Sequence, residues 1–452
     1  MITRHSVHPR TLFTLLLFAL LHVLCARSFA AERPHIVFVL ADDMGLGDTS
    51  SYGGKVAATP QLERMAREGT RFTQYYAASP ICSPSRCGLI TGQFPARWNI
   101  TSYMQTREGN RQCEQVDFLD PNAPSLPRVL RAAGYATAHI GKWHLGGGRD
   151  VVSPPKFAAY GYDAGLGTYE SPEPAAALGL KTVPWGNELE PQQVPRHDRT
   201  RWMVDETIAF LKKHADQPCF VNLWLDDTHS PWKPADAAQG GGAARANLVI
   251  VIAEMDRQLG RLMDALPANT LLVFASDNGA LPTFKRERNN GLRGSKLSLY
   301  EGGIRLPFIV RWPGRVPAGR VDETSVVHAA DMMPTLAAIA GATLPDGYRG
   351  DGMDVSGAFF GTPVARTAPL FWEYGRNETW FKFPEPPDRS PNVAVRDGSW
   401  KLLVNADGSG AELYDLAADP NEANDLAGSQ SAVAAKLKAA ALEWRNSLPK
   451  LP

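Results

Sequence analysis

Charge of one sign, cysteine and long apolar runs are all scarce in this 452-residue chain, and each scarcity excludes a class of protein. Lysine plus arginine and aspartate plus glutamate are equal at 47 each, which excludes the basic excess of a nucleic-acid binder and an acidic tail. Five cysteines are too few for a disulfide scaffold, and no CxxC pair indicates a zinc site. Beyond residue 30, no apolar run is long enough to cross a membrane. The remaining composition is that of a globular protein with one large and one smaller domain.

Residues 1–30 have the pattern of a secretion signal. Arg4 and Arg10 precede an uncharged apolar run over residues 11–25, and Ser28-Phe29-Ala30 supplies a small–x–small cleavage pattern. A membrane anchor is the alternative, but the run is short for a span of about 20 residues. A lipid anchor on Cys25 is disfavoured by the bulky residue before it. We therefore expect an exported protein, periplasmic or extracellular, that is not held in a membrane.

Apolar runs of strand length alternate with helical patterns through most of the chain. This alternation predicts an α/β fold with a largely parallel sheet between helices, whose ligands gather at the carboxyl ends of the strands. Near residue 341 the alternation stops, and later short strands and one helix predict a small α+β domain. We predict a main domain over residues 31–350 and a C-terminal subdomain over residues 351–452. The predicted strands are 34–41, 135–140, 220–225, 270–276, 392–396 and 400–404.

The most specific motif is CSPSRCGLITG, which starts at Cys82. A serine- and proline-rich turn before a helix is the alternative interpretation, but the number of specified positions makes a chance match improbable. The helix that follows would direct its N-terminal N–H groups toward an anion.

Two pairs of side chains with oxygen ligands follow predicted strands. Asp42 and Asp43 come after the first strand, and Asp277 and Asn278 come after the strand at 270–276. Each pair alone is more often a turn or a helix cap. Together they offer only hard oxygen ligands, which suit Ca²⁺ or Mg²⁺ and disfavour zinc.

Three further strings carry histidine or lysine on predicted loops. Lys142 and His144 lie two residues apart in GKWHLG, so their side chains can point the same way from an extended loop. His229 lies in THSP, and an imidazole suits a general acid near neutrality. Lys296 lies in LRGSK, shortly before YEGGIRLP. Without companions, each would be a solvated or loop residue.

In their order and spacing these motifs resemble the sulfatase family, the formylglycine-dependent type I sulfatases of the alkaline phosphatase superfamily. The resemblance extends from residue 33 to about residue 426. It implies an alkaline-phosphatase-like mixed, largely parallel sheet between helices, with a small antiparallel sheet in the C-terminal part. It also implies that Cys82 is oxidised to formylglycine by a separate maturation enzyme, which recognises the C-x-P-S-R pentapeptide.

The resemblance further implies a role for each matching residue. The metal ligands would be Asp42, Asp43, Asp277 and Asn278, with oxygens of the residue formed from Cys82. The ion would be Ca²⁺, with Mg²⁺ the less favoured choice. Arg86 would stabilise the nucleophile, Lys142 and Lys296 would bind sulfate, His144 would assist collapse of the covalent intermediate, and His229 would protonate the leaving alcohol. Glu301 and Arg305 are interpreted as structural.

The implied reaction is hydrolysis of a sulfate ester through a formylglycine hydrate and a covalent hemiacetal sulfate. The alternatives are a phosphoester or phosphonate monoester hydrolase of the same superfamily, and a non-catalytic binder of sulfated glycans. Cys87 stands where the family commonly has alanine, and it either bridges to Cys113 or packs in the interior.

We expect a sulfated carbohydrate as substrate, because two predicted specificity loops are rich in aromatic and basic side chains. The loops are residues 153–198 and 367–390, and the side chains are Tyr160, Tyr162, Tyr169, Trp185, Trp372, Tyr374, Arg376, Trp380 and Lys382.

Overall fold

The first strand, His35–Ala41, shows how the sequence dictates the architecture. Its side chains alternate between the two faces of the sheet, as in any strand. Ile36 and Phe38 enter one hydrophobic cluster, whereas Val37 and Val39 enter another on the opposite face. The run is apolar without interruption because helices cover both faces, as expected for a central parallel strand. The structure, a computed structural model, describes residues 33–168, 170–176, 194–236 and 244–450.

Within the described residues, nine strands form the main sheet, in the spatial order β4-β3-β5-β1-β6-β7-β2-β8, with β9 beside β2. Strands β4, β3, β5, β1 and β6 are mutually parallel, while β7 is antiparallel to both of its neighbours. The strands are β1 His35–Ala41, β2 Thr70–Tyr76, β3 Ala136–Gly141, β4 Ala164–Gly167, β5 Cys219–Trp224, β6 Thr270–Ser276, β7 Arg305–Arg311, β8 Arg320–Asp322 and β9 Val327–His328.

Helices pack on both faces of this sheet. A last helix follows the C-terminal strands. They are α1 Pro60–Arg67, α2 Cys82–Thr91, α3 Arg107–Gln112, α4 Leu126–Ala132, α5 Arg199–Lys213, α6 Arg245–Ala265, α7 Glu301–Ile304, α8 Met332–Ala340, α9 Ser356–Phe359 and α10 Ser431–Asn446. Helices α1, α5 and α6 cover one face, and α2, α4 and α8 cover the other. No helix within the described residues is long and apolar enough to cross a bilayer.

A second sheet of four antiparallel strands follows, in the order β10-β11-β12-β13, and α10 packs on it. Its strands are β10 Leu370–Glu373, β11 Val393–Asp397, β12 Trp400–Val404 and β13 Glu412–Asp415. One hydrophobic cluster joins this sheet to Tyr76 and Ile81 beside α2 and to Tyr300 and Ile304 in front of β7. The small sheet therefore supports the segments that lead into the start of α2. The boundary at residue 350 stays a prediction.

The predicted fold class, a mixed and largely parallel sheet between helices with a small antiparallel C-terminal sheet, is confirmed. The six predicted strands are present within one residue at each end. Among the described residues, seven further strands were not predicted, namely β2, β4, β7, β8, β9, β10 and β13. Strand β2 has the sequence TRFTQYY, in which buried and partly exposed positions alternate over part of the length. The partly exposed positions are polar, and this weakens the apolar pattern by which a strand is predicted.

Candidate active site

The polar motifs converge on one edge of the main sheet. Asp42, Lys142 and Asp277 are the first residues after β1, β3 and β6, whose carboxyl ends meet at that edge. Strand β5 leads to His229 at the same edge. Because β7 runs in the opposite direction, its amino end lies there too, which brings in Lys296 from the preceding loop. The topology thus brings every predicted site residue to this edge of the sheet.

Cys82 is the first residue of α2, so the signature sequence forms the helix itself rather than a turn before it. Pro84 fits the first turn because its missing N–H needs no partner there. All ten residues of α2 are buried. The Cys82 sulfur lies 3.6 Å from Oδ1 of Asp42 and 3.7 Å from Nζ of Lys296. Residue 82 therefore lies at a helix N-terminus, between the carboxylate of Asp42 and the ammonium group of Lys296.

Three cations and three carboxylates surround Cys82, and all are buried. Lys142 Nζ lies 2.5 Å from Oδ2 of Asp42, and Lys296 Nζ lies 2.7 Å from Oδ1 of Asp43. The guanidinium of Arg86 donates to Oδ2 of Asp277 at 2.7 Å and 3.0 Å, with Asp42 Oδ1 3.6 Å away. Such charges are tolerated in the interior because each has a close opposite partner.

Burial and these neighbours shift the acids in opposite directions. Burial alone would raise the pKa of Asp42, but Lys142 and the other nearby cations hold it well below its ordinary value. The pKa of Asp43 is lowered in the same way, chiefly by Lys296. For Asp277, burial and the negative charge of Asp42 outweigh Arg86 and raise the pKa to about 6. Burial also raises the pKa of the Cys82 thiol, so the unmodified side chain stays protonated.

The acceptor atoms of Asp42, Asp43, Cys82 and His229 lie within 4.8 Å of one another, so this group has the dimensions of a cation site. The side-chain amide of Asn278 donates to Oδ1 of Asp43 at 2.7 Å. Within the described chain, the Asn278 Oδ1 acceptor is buried and has no hydrogen-bond partner. An orphaned oxygen beside buried carboxylates fits a hard divalent cation.

His229 stands at the open side of the cluster. Its Nε2 lies 3.6 Å from Oδ2 of Asp43, and its side chain is 19% exposed. Its Nδ1 lies 2.5 Å from the carbonyl of Ser230, so Nδ1 carries the proton and Nε2 faces the acids. Burial lowers the pKa of His229 to about 4, although Asp43 opposes the shift.

The start of the loop after β3 is held by the close approach of two backbone segments, at Gly141 and Trp224. Gly141 has φ of +110°, and a Cβ there would lie 1.8 Å from the carbonyl oxygen of Trp224. Only glycine fits this position. His144, three residues on, has φ of +55°, a conformation that costs a non-glycine residue of order 1 kcal/mol. The GKWHLG string thus encodes a loop shape as well as its two polar side chains.

Several residues that support the site were not predicted. Arg288 donates to the carbonyl of Asp43 at 2.8 Å and to the hydroxyl of Thr228 at 3.1 Å, and it pairs with buried Asp48. Glu170 contacts His144. These partners lie 26 to 245 residues apart in the chain, and no local sequence pattern would reveal them.

The structure corrects part of the predicted specificity surface. Tyr160 and Tyr162 are buried against Trp143, and Trp372 and Tyr374 are buried in the core around the small sheet. These four rings are therefore part of the core. Of the predicted aromatic side chains that the structure describes, Trp380 is exposed, at 49%. Two others, Tyr169 and Trp185, lie outside the described residues.

Cys87 and Cys113 are both free thiols, each buried, so the structure contains no bridge between them. Cys87 packs in the core under α2, and burial raises its pKa. Of the two alternatives for Cys87, packing is the one observed.

The chain matches the family model described as Sulfatase over residues 34–342. A second model, described as N-sulphoglucosamine sulphohydrolase, C-terminal, matches residues 295–447. The first match alone covers more than half of the chain. The protein belongs to the sulfatase family, as its motifs predicted, and it is a sulfatase enzyme.

Two relatives of equal identity to this chain are named for different activities. The chain is 30% identical to an N-acetylgalactosamine-6-O-sulfatase of Bacteroides thetaiotaomicron, over 88% of this chain and 90% of that protein. It is also 30% identical to human arylsulfatase A, over 91% of this chain and 86% of the relative. A solved structure of Ps i-CgsB bound to k-i-k-neocarrahexaose superposes with a TM-score of 0.72 at 25% identity, covering 91% of this chain and 93% of that one. The likeness establishes sulfate ester hydrolysis as the shared chemistry.

Proposed function

We propose that this enzyme removes sulfate from a sulfated carbohydrate, using a formylglycine formed from Cys82 and a bound Ca²⁺. The observation that carries the proposal is the position of Cys82 at the start of α2, with Asp42 and Lys296 within 4 Å of its sulfur. A phosphate or phosphonate ester and a purely binding role rank behind this reading, because the relatives named above are sulfatases.

The cation would be held by Asp42, Asp43, Asp277 and Asn278, together with an oxygen of the residue formed from Cys82. The residues fit such an ion, since Asn278 Oδ1 is a buried acceptor without a partner among the described residues. All of these donors are oxygens, which favours Ca²⁺ or Mg²⁺. We favour Ca²⁺ because it accepts a larger and more flexible set of ligands than Mg²⁺ does. Bound there, the ion would supply positive charge beside the sulfuryl group and help deprotonate the nucleophile.

Once converted to an aldehyde hydrate, position 82 would offer two hydroxyls on one carbon: one attacks sulfur as the ester oxygen leaves, and proton loss from the other lets sulfate depart and restores the aldehyde. A thiol or a serine hydroxyl lacks the second oxygen. The maturation enzyme that makes the aldehyde is therefore a required transient partner. It would act before folding is complete, because the whole of the signature helix is buried in the folded protein.

Arg86, Lys142 and Lys296 would oppose the negative charge that develops on the sulfuryl oxygens. Their ammonium and guanidinium groups are fixed by Asp42, Asp43 and Asp277, so they need little reorganisation when substrate binds. Fixed donors in a buried site stabilise a transition state more than mobile donors in water.

His229 would protonate the leaving alcohol, and this role is supported by its partly exposed side chain at the open side of the cluster. A leaving group bound at sulfur must point out of the closed cluster, toward this ring. The ring's pKa is lowered to about 4 by burial, and the charge of a bound sulfate ester would raise it and favour the protonated acid.

A carbohydrate substrate is supported by the Bacteroides relative, which is named for a sulfated amino sugar, and by the carrageenan oligosaccharide in the named solved structure. The exposed Trp380 offers a ring that can stack on a sugar face. Export to the periplasm or the cell exterior, which follows from the predicted signal, would place the enzyme where polysaccharides are met.

The test is sulfate release by protein matured together with a formylglycine-generating enzyme. We expect peptide mass analysis to show an aldehyde at residue 82, and sulfate to be released from some member of a panel of sulfated sugars. Removal of divalent ions should abolish activity, and Ca²⁺ should restore it better than Mg²⁺. Activity with an unmodified Cys82 thiol, or faster turnover of an aryl phosphate than of every sulfate ester, would refute the proposal.

A further inference from the structure

His144 is held by two acceptors at a single ring nitrogen. Its Nε2 lies 3.3 Å from the carbonyl oxygen of Met104 and also contacts the carboxylate of Glu170. A carbonyl and a carboxylate cannot donate a hydrogen bond. The Nε2 atom must therefore carry a proton, and a neutral ring keeps its lone pair on Nδ1.

The remaining nitrogen, Nδ1, is buried and has no hydrogen-bond partner among the residues that the structure describes. The ring as a whole is 3% exposed. Its acceptor Met104 is tied to the start of α2, because the Met104 N–H donates to the Ser83 hydroxyl at 2.9 Å, and Ser83 follows Cys82 in α2. A buried lone pair without a donor is costly, and it leaves Nδ1 as the nitrogen of this ring that can accept a proton.

Glu170 is itself fixed. Its Oε1 accepts from Arg149 Nε at 2.8 Å and lies 2.7 Å from Nη2, while its side chain is 1% exposed. The resulting relay runs from Arg149 through Glu170 to Nε2 of His144. It has the arrangement by which a buried carboxylate sets the tautomer and orientation of a catalytic imidazole.

We propose that Glu170 is a positioning residue that fixes His144 as the Nε2-protonated tautomer, so that Nδ1 is the atom that accepts a proton when sulfate departs from residue 82. The proton comes from the hydroxyl that stays on the residue-82 carbon. The carbon–oxygen bond to sulfate breaks as the carbonyl forms, so the electrons balance without a further reactant. The inference rests on the proposed function for the chemical step, but the tautomer itself does not depend on it.

The charged groups that face the ring are Glu170 and Lys142 from the loops after β4 and β3, and Arg86 from α2. Burial lowers the pKa of His144, Lys142 and Arg86 act in the same direction, and Glu170 opposes them. Replacement of Glu170 by a neutral residue should therefore lower this pKa further.

The decisive measurement is ¹⁵N NMR of protein labelled in histidine, with the His144 resonances assigned by their loss in His144→Asn. We expect the wild-type ring to show an N–H type Nε2 and an unprotonated Nδ1 at neutral pH, whether or not residue 82 is converted. In Glu170→Gln the Nδ1–H form should become populated. A wild-type ring protonated on Nδ1 would overturn the proposal even in a protein that shows no sulfatase activity.

Kinetics supply the second readout. Glu170→Gln should lower kcat by at least about tenfold with little change in KM, and move the acid limb of the pH profile to lower pH. Glu170→Asp should recover part of kcat. Glu173→Gln, three residues away with its carboxylate on the backbone N–H of Phe157, is the matched control and should leave both unchanged. A folded Glu170→Gln protein with wild-type kcat and pH profile would contradict the assignment.

Discussion

Two clusters of buried charge in this protein use the same chemistry for different ends. The cluster around Cys82, which we call the catalytic cluster after its proposed role, pairs Lys142 with Asp42 and Lys296 with Asp43. The second, which we call the joining cluster, consists of Glu301, Lys401 and Glu422. Its ammonium lies 2.9 Å from a carboxylate oxygen of each glutamate. It links the segment before β7 to the small sheet.

The two clusters differ in the hydrogen-bond partners of their polar atoms and in whether a side chain reaches the exterior. In the joining cluster, Tyr76 donates to Glu301 at 2.6 Å, and the backbone N–H of Glu301 donates to Glu422, also at 2.6 Å. Around Cys82, by contrast, Asn278 Oδ1 lacks a partner among the described residues and His229 opens to the exterior. Burial and ion pairing therefore do not by themselves mark a functional site; unfilled acceptors next to an opening do.

The largest expected effect comes from breaking the catalytic cluster at Cys82, the source of the proposed nucleophile. In Cys82→Ala, sulfate release should fall by at least about a thousandfold, because no other group at the site can form the aldehyde hydrate. The thermal midpoint should change little, since the loss is one small buried side chain. Enzyme assays and a melting curve on the same preparation check both statements.

Cys87→Ala is the matched control, because it removes a second buried thiol from the same helix, on the side that faces the core. It should keep the activity and cost about 1 kcal/mol of stability at most. Equal activity losses in the two variants would mean that Cys82 has no special role.

The next effect separates the clusters by stability. Lys401→Met leaves two buried carboxylates without their ammonium and should lower the free energy of unfolding by about 3–5 kcal/mol. The protein that remains folded should keep its kcat, because Lys401 lies outside the site. Denaturant unfolding and active-site titration distinguish the two quantities.

Lys142→Met is the counterpart within the catalytic cluster. Arg86 Nη2 still lies 3.6 Å from Asp42, so the loss of stability should be smaller than in Lys401→Met. Sulfate release should fall by about two orders of magnitude, as when one fixed donor to a developing charge is removed. A large loss of stability with unchanged kcat would place Lys142 in a structural role like that of Lys401.

Much of the catalytic edge could be predicted, because its residues directly follow strands. Each of these strands is visible in the sequence as a local apolar run. Asp42 and Asp277 come directly after apolar runs of strand length, and in a parallel sheet the carboxyl ends of such runs share one edge. Lys296 was placed by its motif, since the antiparallel direction of β7 was not visible in the sequence.

The supporting contacts could not be predicted. The Arg288–Asp48 pair spans 240 residues, and nothing near either residue indicates its partner. The inward orientation of Trp372 and Tyr374 depends on which side of β10 faces α2, and that is decided by packing between the two sheets. Glu170 looked like an ordinary acidic loop residue, because only the folded chain brings it to His144.

The smallest expected effect concerns the pH dependence of the joining cluster. Burial, together with the charge of Glu301, raises the pKa of Glu422 to about 7. In the unfolded chain a glutamate has a pKa of about 4.3, so the folded state binds this proton more tightly. The stabilisation is therefore fully present below about pH 4 and is lost as the pH rises through 7.

Glu422→Gln should remove this dependence. Between pH 5 and pH 8, the wild-type free energy of unfolding should fall by about 2 kcal/mol more than that of the variant. Glu378→Gln, on an exposed carboxylate, is the control and should follow the wild type. Parallel pH profiles for wild type and Glu422→Gln would show that Lys401 keeps both carboxylates ionised. The joining cluster would then resemble the catalytic cluster in charge state and differ from it in being closed to the exterior, since Glu301, Lys401 and Glu422 are all fully buried.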